Sequence, residues 1–159
     1  MTKLREKLTA ACVLVALAAT SAHALSTKKE TTINAPINTV WDKIKGWCAI
    51  KDWHPAIKDC SEAREGEALR RTLTLGDGGK IVERLTGENE TSYSYIIETS
   101  PLPVTNYKST LSVQAKGNEQ TKVKWEGTFD AKGKPDKEVI DLITGIYDAG
   151  IKSITDMMK

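Results

Sequence analysis

Nowhere is this sequence apolar for long enough to cross a bilayer. Its one extended apolar run, Ala10 to Ala19, has 10 residues, where a spanning helix needs about 20. Lys3, Arg5 and Lys7 precede that run, and Ser21-Ala22-His23-Ala24 follows it with a small-x-small pattern. A charged start, a short apolar middle and an Ala-x-Ala end read as a cleavable secretory signal peptide over residues 1–24, not as an anchor. Cys12 lies too close to the N-terminus, with no apolar stretch before it, to be a lipoprotein acylation site. The expected product is a soluble periplasmic domain, 25–159, with no membrane anchor.

Histidine and cysteine are scarce in what remains. After residue 24 only His54, Cys48 and Cys60 are left, too few for a four-ligand zinc site. In an oxidising compartment two cysteines this close read as a disulfide, with two buried free thiols as the alternative. Catalytic signatures are missing too: there is no Gly-x-Ser-x-Gly elbow and no zinc-protease helix. Gly76-Asp77-Gly78-Gly79-Lys80 lacks the spacing of a phosphate loop, and no Ser or Thr follows the lysine, so it reads as a hairpin turn. No catalytic residue, metal or cofactor is expected. Neither sign of charge dominates. Residues 1–24 take with them three of the 23 basic and one of the 21 acidic residues, leaving 20 of each. That balance excludes the basic face a nucleic-acid binder needs, and gives nothing with which to dock on an anionic membrane.

The remaining 135 residues suit one α+β domain with a real core. Thr27 to Asn34 reads as a strand, and Pro36 opens a helix carrying Ile37, Val40, Trp41 and Ile44 before Gly46 ends it. Trp47 to Ile57, broken by Pro55, reads as a loop with one helical turn. From Cys60 to Asp130 the pattern alternates, with Leu69, Arg71, Leu73 and Leu75 on one face, and Ile81, Glu83 and Leu85 returning after the glycine turn. Tyr93, Tyr95 and Ile97, then Tyr107, Leu111 and Val113, then Val123, Trp125 and Phe129 continue the inward set. Successive hairpins of this kind give an antiparallel meander with one buried face. Pro135 to Met158 reads as a long helix with one apolar stripe through Val139, Ile143, Tyr147 and Ile151. Gly145 and Gly150 weaken that helix, and are expected to let it lie close to the sheet or leave room beneath it.

The markers Ile33-Asn34-Ala35-Pro36 with Val40-Trp41, Trp53-His54-Pro55, Gly79 through Leu85, Pro101 through Tyr107 and Val123 through Phe129 occur in this order. Together they resemble the SRPBCC superfamily, which includes START lipid-transfer domains, birch-pollen-allergen-like proteins and polyketide cyclases. The resemblance implies a helix-grip fold, a curved antiparallel sheet wrapped around a long C-terminal helix. The exported form, with Trp-His-Pro and Leu102-Pro103-Val104-Thr105-Asn106-Tyr107 together, is similar to MxaD-type proteins. These imply an accessory role beside a periplasmic methanol dehydrogenase and its cytochrome.

Such a fold often leaves a pocket for a small apolar or amphipathic ligand, walled by residues with an apolar body and a polar tip. Tyr95, Tyr107, Trp125 and Tyr147 are the candidates on the inner faces, with Trp53, His54 and Leu102 on the rim. Arg71 and Glu83 are expected opposite each other as a buried, bidentate ion pair, Tyr95 adding a hydrogen bond. His54 is the natural first choice for proton transfer near neutral pH; its other reading is a loop histidine bonded to a carbonyl. Three functions remain open: ligand binding, a protein-interaction module, and an enzyme of the cyclase or dehydratase kind.

Overall fold

The structure, a computed structural model, describes residues 24–159. Apart from Ala24, the segment read as a signal peptide lies outside the described residues. Strand β1 (Leu25–Ile33) is followed by helix α1 (Ile37–Ile44) and a single turn, α2 (Ile50–Trp53). Six strands come next: β2 (Ile57–Glu65), β3 (Ala68–Leu75), β4 (Lys80–Asn89), β5 (Ser92–Thr99), β6 (Val104–Lys116) and β7 (Gln120–Ala131). Helix α3 (Asp136–Asp156) ends the chain. The sheet is antiparallel throughout in the order β1-β7-β6-β5-β4-β3-β2. Its two edges, β1 and β2, are thus joined by α1 and α2 across the open side. This is the helix-grip fold.

Each element follows from its residues. Pro36, at φ −58°, sets up α1, whose Val40, Trp41 and Ile44 are buried. Of the expected inward residues in β3 to β7, Leu73, Ile81, Tyr93, Tyr95, Tyr107, Leu111, Val113, Val123, Trp125 and Phe129 are buried, while Leu69, Leu75, Leu85 and Ile97 are half-buried. Strand β2 is the element the alternation hides. Lys58, Asp59, Glu62, Arg64 and Glu65 leave it exposed on both faces, as suits a sheet edge that must not recruit another chain. Cys48 and Cys60 form the expected disulfide, Cα to Cα 5.5 Å, and tie the segment after α1 to this edge.

Two glycines set how closely α3 and the sheet approach. A Cβ on Gly150 would lie 2.7 Å from the Trp125 ring and 2.8 Å from the His54 ring, so its bareness lets α3 touch both. A Cβ on Gly127 would lie 2.3 Å from the Tyr147 hydroxyl and 2.9 Å from the Lys108 carbonyl. Gly145 does not share this role: it is exposed, with nothing within 4 Å of the Cβ position.

Gly127→Ala and Gly150→Ala should each destabilise the fold by about 1–3 kcal/mol through overpacking. Gly145→Ala should instead stabilise it by about 0.4–1 kcal/mol. Urea unfolding of the three variants reads out the two signs. Reducing the disulfide should remove about 3 kcal/mol in the same assay.

Candidate functional site

Helix α3 packs mainly on β1 and β7, leaving the inner faces of β3 to β6 partly uncovered. There an inner cavity of about 140 Å³ remains. Leu73, Ile81, Ile97 and Leu102 line it from the sheet side, and Ile143 and Ile146 from α3. Ile50, His54, Ala56 and Ile57 close the side nearest α2. Its polar boundary is made by Glu83, Tyr95, Tyr107, Trp125 and Tyr147. An apolar cavity of about 150 Å³ holds a benzene ring, so the space suits a molecule of that order. A larger depression of about 880 Å³ lies on the outer face, among Ser26, Thr110, Lys108 and Glu126. It is more open and mostly lined by hydroxyls and charged side chains, so the more sheltered inner cavity is the better candidate.

The glycine turn pairs Leu75 N with Gly79 O at 2.8 Å, and the register so fixed sets Arg71 opposite Glu83. Both are buried, at 1% and 5% exposure, and Arg71 Nε donates to Glu83 Oε2 at 2.6 Å. The expected bidentate pair does not form. Arg71 Nη1 donates to the Trp47 carbonyl, the Trp47 ring covers the guanidinium at 3.8 Å, and Nη2 has no partner among the described residues. Tyr95 also departs from expectation. It turns its ring toward Arg71, 5.2 Å from Cζ, and its hydroxyl accepts from Trp125 Nε1 at 3.1 Å. Trp47 is the physical reason for the first change, because its carbonyl takes the second guanidinium arm. Burial raises the Glu83 carboxyl pKa, and the charge and hydrogen bond of Arg71 oppose it without cancelling it. A neutral acid there would strand the guanidinium as an uncompensated buried charge, so we assign a carboxylate.

Beside the pair lies a chain of hydroxyls. Tyr107 and Tyr147 meet at 2.5 Å, Tyr147 and Ser109 at 2.9 Å, and Ser109 donates to the Glu126 carbonyl at 2.8 Å. Trp125 stacks on Tyr147 with centroids 4.4 Å apart. Burial raises Tyr95 and Tyr107 well above the ordinary phenol value and pushes Tyr147 up to about 12. All three stay protonated across the neutral range.

His54 is held by backbone on both ring nitrogens. The Ala56 N–H donates to Nδ1 at 3.2 Å, which leaves Nε2 to donate to the Ile146 carbonyl at 3.0 Å. Burial lowers its pKa, the bond to Ile146 opposes that, and Arg71 lowers it further. Its ring borders the cavity, but neither nitrogen is free for proton transfer. The carbonyl-bonded reading is the one the structure supports.

Seven of the nine candidate residues line the cavity: His54, Glu83, Tyr95, Leu102, Tyr107, Trp125 and Tyr147. Arg71 stands behind Glu83. Trp53 is a core residue and not a rim residue, 1% exposed and edge-on to Trp125 at 5.6 Å. Ser109 was missed, although it occupies the inward phase between Tyr107 and Leu111, where a small polar residue among large ones is itself a signal.

Glu83→Gln should cost about 3–5 kcal/mol in urea unfolding, whereas Arg71→Met with Glu83→Leu should recover most of that loss, because no charge is left unpaired. His54 gives a separate pH signature. Its folded pKa lies below the unfolded value, so the unfolded chain binds the extra proton between the two. Its contribution is therefore complete above about pH 6.5 and declines as pH falls through that value toward the folded pKa. His54→Gln should flatten the stability-versus-pH curve in that window.

Comparison with known proteins places this geometry. The chain is similar to the solved structure of XoxI from Bacillus cereus, at 34% identity over 84% of this chain and 94% of that one, with a TM-score of 0.78. A Bacillus thuringiensis protein is 34% identical over 84% and 98% of the two chains, with a TM-score of 0.79. The Zhui aromatase/cyclase from Streptomyces sp. R1128 covers 86% of this chain and 94% of its own at 15% identity and a TM-score of 0.70, a likeness of fold alone. No curated protein matches the chain. Residues 24–158 match the family described as polyketide cyclase / dehydrase and lipid transport, and the chain belongs to that START-like family.

Proposed function

We propose that this is an exported, periplasmic protein that binds a small apolar or amphipathic molecule in its inner cavity without transforming it. The observation that carries the reading is the sheltered 140 Å³ space, apolar over nearly all its surface, with Glu83 and the tyrosines among the residues that line it. His54, the residue first expected to move a proton in a cyclase or dehydratase, commits both nitrogens to backbone. The volume also falls below the roughly 300–1,000 Å³ of sites that take larger ligands, which weighs against a polyketide-sized substrate.

A second reading is favoured by the Trp53-His54-Pro55 and Leu102-to-Tyr107 segments and by the similarity to XoxI. In it the protein assists a periplasmic dehydrogenase and its cytochrome, and the small cavity serves the core more than a ligand.

Intact-mass and native mass spectrometry of periplasmic material from the source organism separates the two. Binding predicts a chain starting at Leu25 with the Cys48–Cys60 disulfide and a copurifying small molecule. A bare mass with a copurified dehydrogenase supports the accessory role instead. Ile97→Trp, which fills the cavity from the half-buried Ile97 position, should abolish ligand retention and change the melting temperature little. Retention unchanged in that variant would place any ligand elsewhere.

A further inference from the structure

Counting protons at the polar end of the cavity narrows the chemistry it accepts. Ser109 Oγ has one proton and lies 2.8 Å from the Glu126 carbonyl, which has none to give. Ser109 therefore donates there, and accepts at its other two contacts, from Trp125 Nε1 at 3.0 Å and from the Tyr147 hydroxyl at 2.9 Å. With the Tyr147 proton committed, the proton in the 2.5 Å contact between the two tyrosines belongs to Tyr107. Tyr107 is left with an open lone pair and no free proton. Tyr95 is left the other way round: its oxygen shares the single Trp125 N–H with Ser109, and no hydrogen-bond acceptor among the described residues takes its proton. Glu83 supplies the third open group. Its Oε2 is taken by Arg71, while its other oxygen meets no donor among the described residues, and Glu83 lines the cavity.

We infer that the cavity selects a compact neutral alcohol or phenol, whose hydroxyl donates to Glu83 and accepts from Tyr95. The Tyr95 proton and the open Glu83 oxygen together are the complement of one hydroxyl group, whose single proton goes to Glu83 and whose oxygen accepts from Tyr95, leaving only the Tyr107 lone pair unmatched. The inference rests on the ligand-binding reading above. A hydrocarbon would leave the Tyr95 proton and the Glu83 oxygen unpaired and displace water from them, which is the costly case for buried polar atoms. An aldehyde or ketone satisfies Tyr95 and turns a carbonyl oxygen toward the Glu83 carboxylate. A carboxylic acid at neutral pH adds outright repulsion. An ammonium ion donates to Glu83 but cannot accept from Tyr95, and it gives up its hydration for a carboxylate already neutralised by Arg71. Tyr95 remains a donor because burial keeps its phenol protonated. The apolar body, on the scale of one six-membered ring, rests among Ile97, Leu102, Ile143 and Ile146.

Titration of the full-length mature protein with phenol, toluene and benzaldehyde tests the inference, followed by NMR of the isoleucine and leucine methyls lining the cavity. Phenol should bind at least about tenfold more tightly than either analogue, the scale of one hydrogen bond to a charged group. Tyr95→Phe and Glu83→Gln should each remove most of that advantage, chiefly by weakening phenol binding. If Glu83→Gln fails to fold, Tyr95→Phe decides, since Trp125 keeps Ser109 as its acceptor in that variant. Toluene or benzaldehyde binding as tightly as phenol overturns the selection and leaves the cavity intact as a binding site. No response to any of the three at millimolar concentration overturns the binding reading, and this inference with it.

Discussion

The Arg71 guanidinium holds together parts of the chain that otherwise have little reason to meet. Its Nε reaches across the β3–β4 hairpin to Glu83, and its Nη1 reaches the carbonyl of Trp47 in the segment after α1. The Trp47 ring lies flat over it. One buried charge thus pins the hairpin register, the position of the α1–α2 connection and the orientation of a carboxylate at the cavity wall. Lysine could not replace it, because a point charge has neither the fork for two directed bonds nor a planar face for the indole. The disulfide from Cys48 to Cys60 binds the neighbouring residue of the same connection to β2, so covalent and electrostatic links act on one segment.

That arrangement decides where the core is tight and where it is not. On the β1–β7 side, α3 is drawn close by bare glycines, by the Trp125–Tyr147 stack and by a 2.6 Å hydrogen bond between Thr27 and Thr144. On the β3–β5 side the guanidinium, its carboxylate and the covering tryptophan fill the deep end. The aliphatic residues nearer the rim do not close the remaining space. Polar groups at this boundary are satisfied in sequence from Tyr107 to the Glu126 carbonyl, so the wall is hydrogen-bonded along its length except where it faces the cavity.

Much of this was legible in the sequence, because period-two alternation and a rigid glycine turn leave few registers to choose from. The pairing of Arg71 with Glu83 follows from counting back from Leu75 and Gly79, and the structure has that register. How the guanidinium spends its other donors was not legible. The Trp47 carbonyl comes from a loop whose path depends on tertiary contacts, and no local pattern announces it. Strand β2 escaped notice because an edge strand guarded by charges on both faces has no alternation to read. Trp53 misled for the opposite reason: two residues before a proline in an irregular segment it looks like a rim residue, yet the α2 turn carries it inward against Trp125. Gly145 and Gly150 look alike on the helix, and only the neighbours of Gly150 distinguish them.

The size of the cavity is itself informative when set against what closing it would require. An unfilled void costs on the order of 24 cal/mol per Å³, so 140 Å³ left empty would cost on the order of 3 kcal/mol. Proteins of this kind hold only about 5–15 kcal/mol in total. A larger side chain at Leu75, which is not paired with either member of the ion pair, would reduce that cost. Helix α3 cannot remove it by shifting, because the Thr27–Thr144 bond, the Lys29–Asp148 ion pair at 2.9 Å and the Trp125 stack fix its position over β1 and β7. A benzene-sized, mostly apolar space with open hydrogen-bonding groups of Glu83 and Tyr95 at its edge is the kind of space an occupant would complete. Occupancy would offset the void and pair those groups in the same event, so ligand and scaffold stabilise each other.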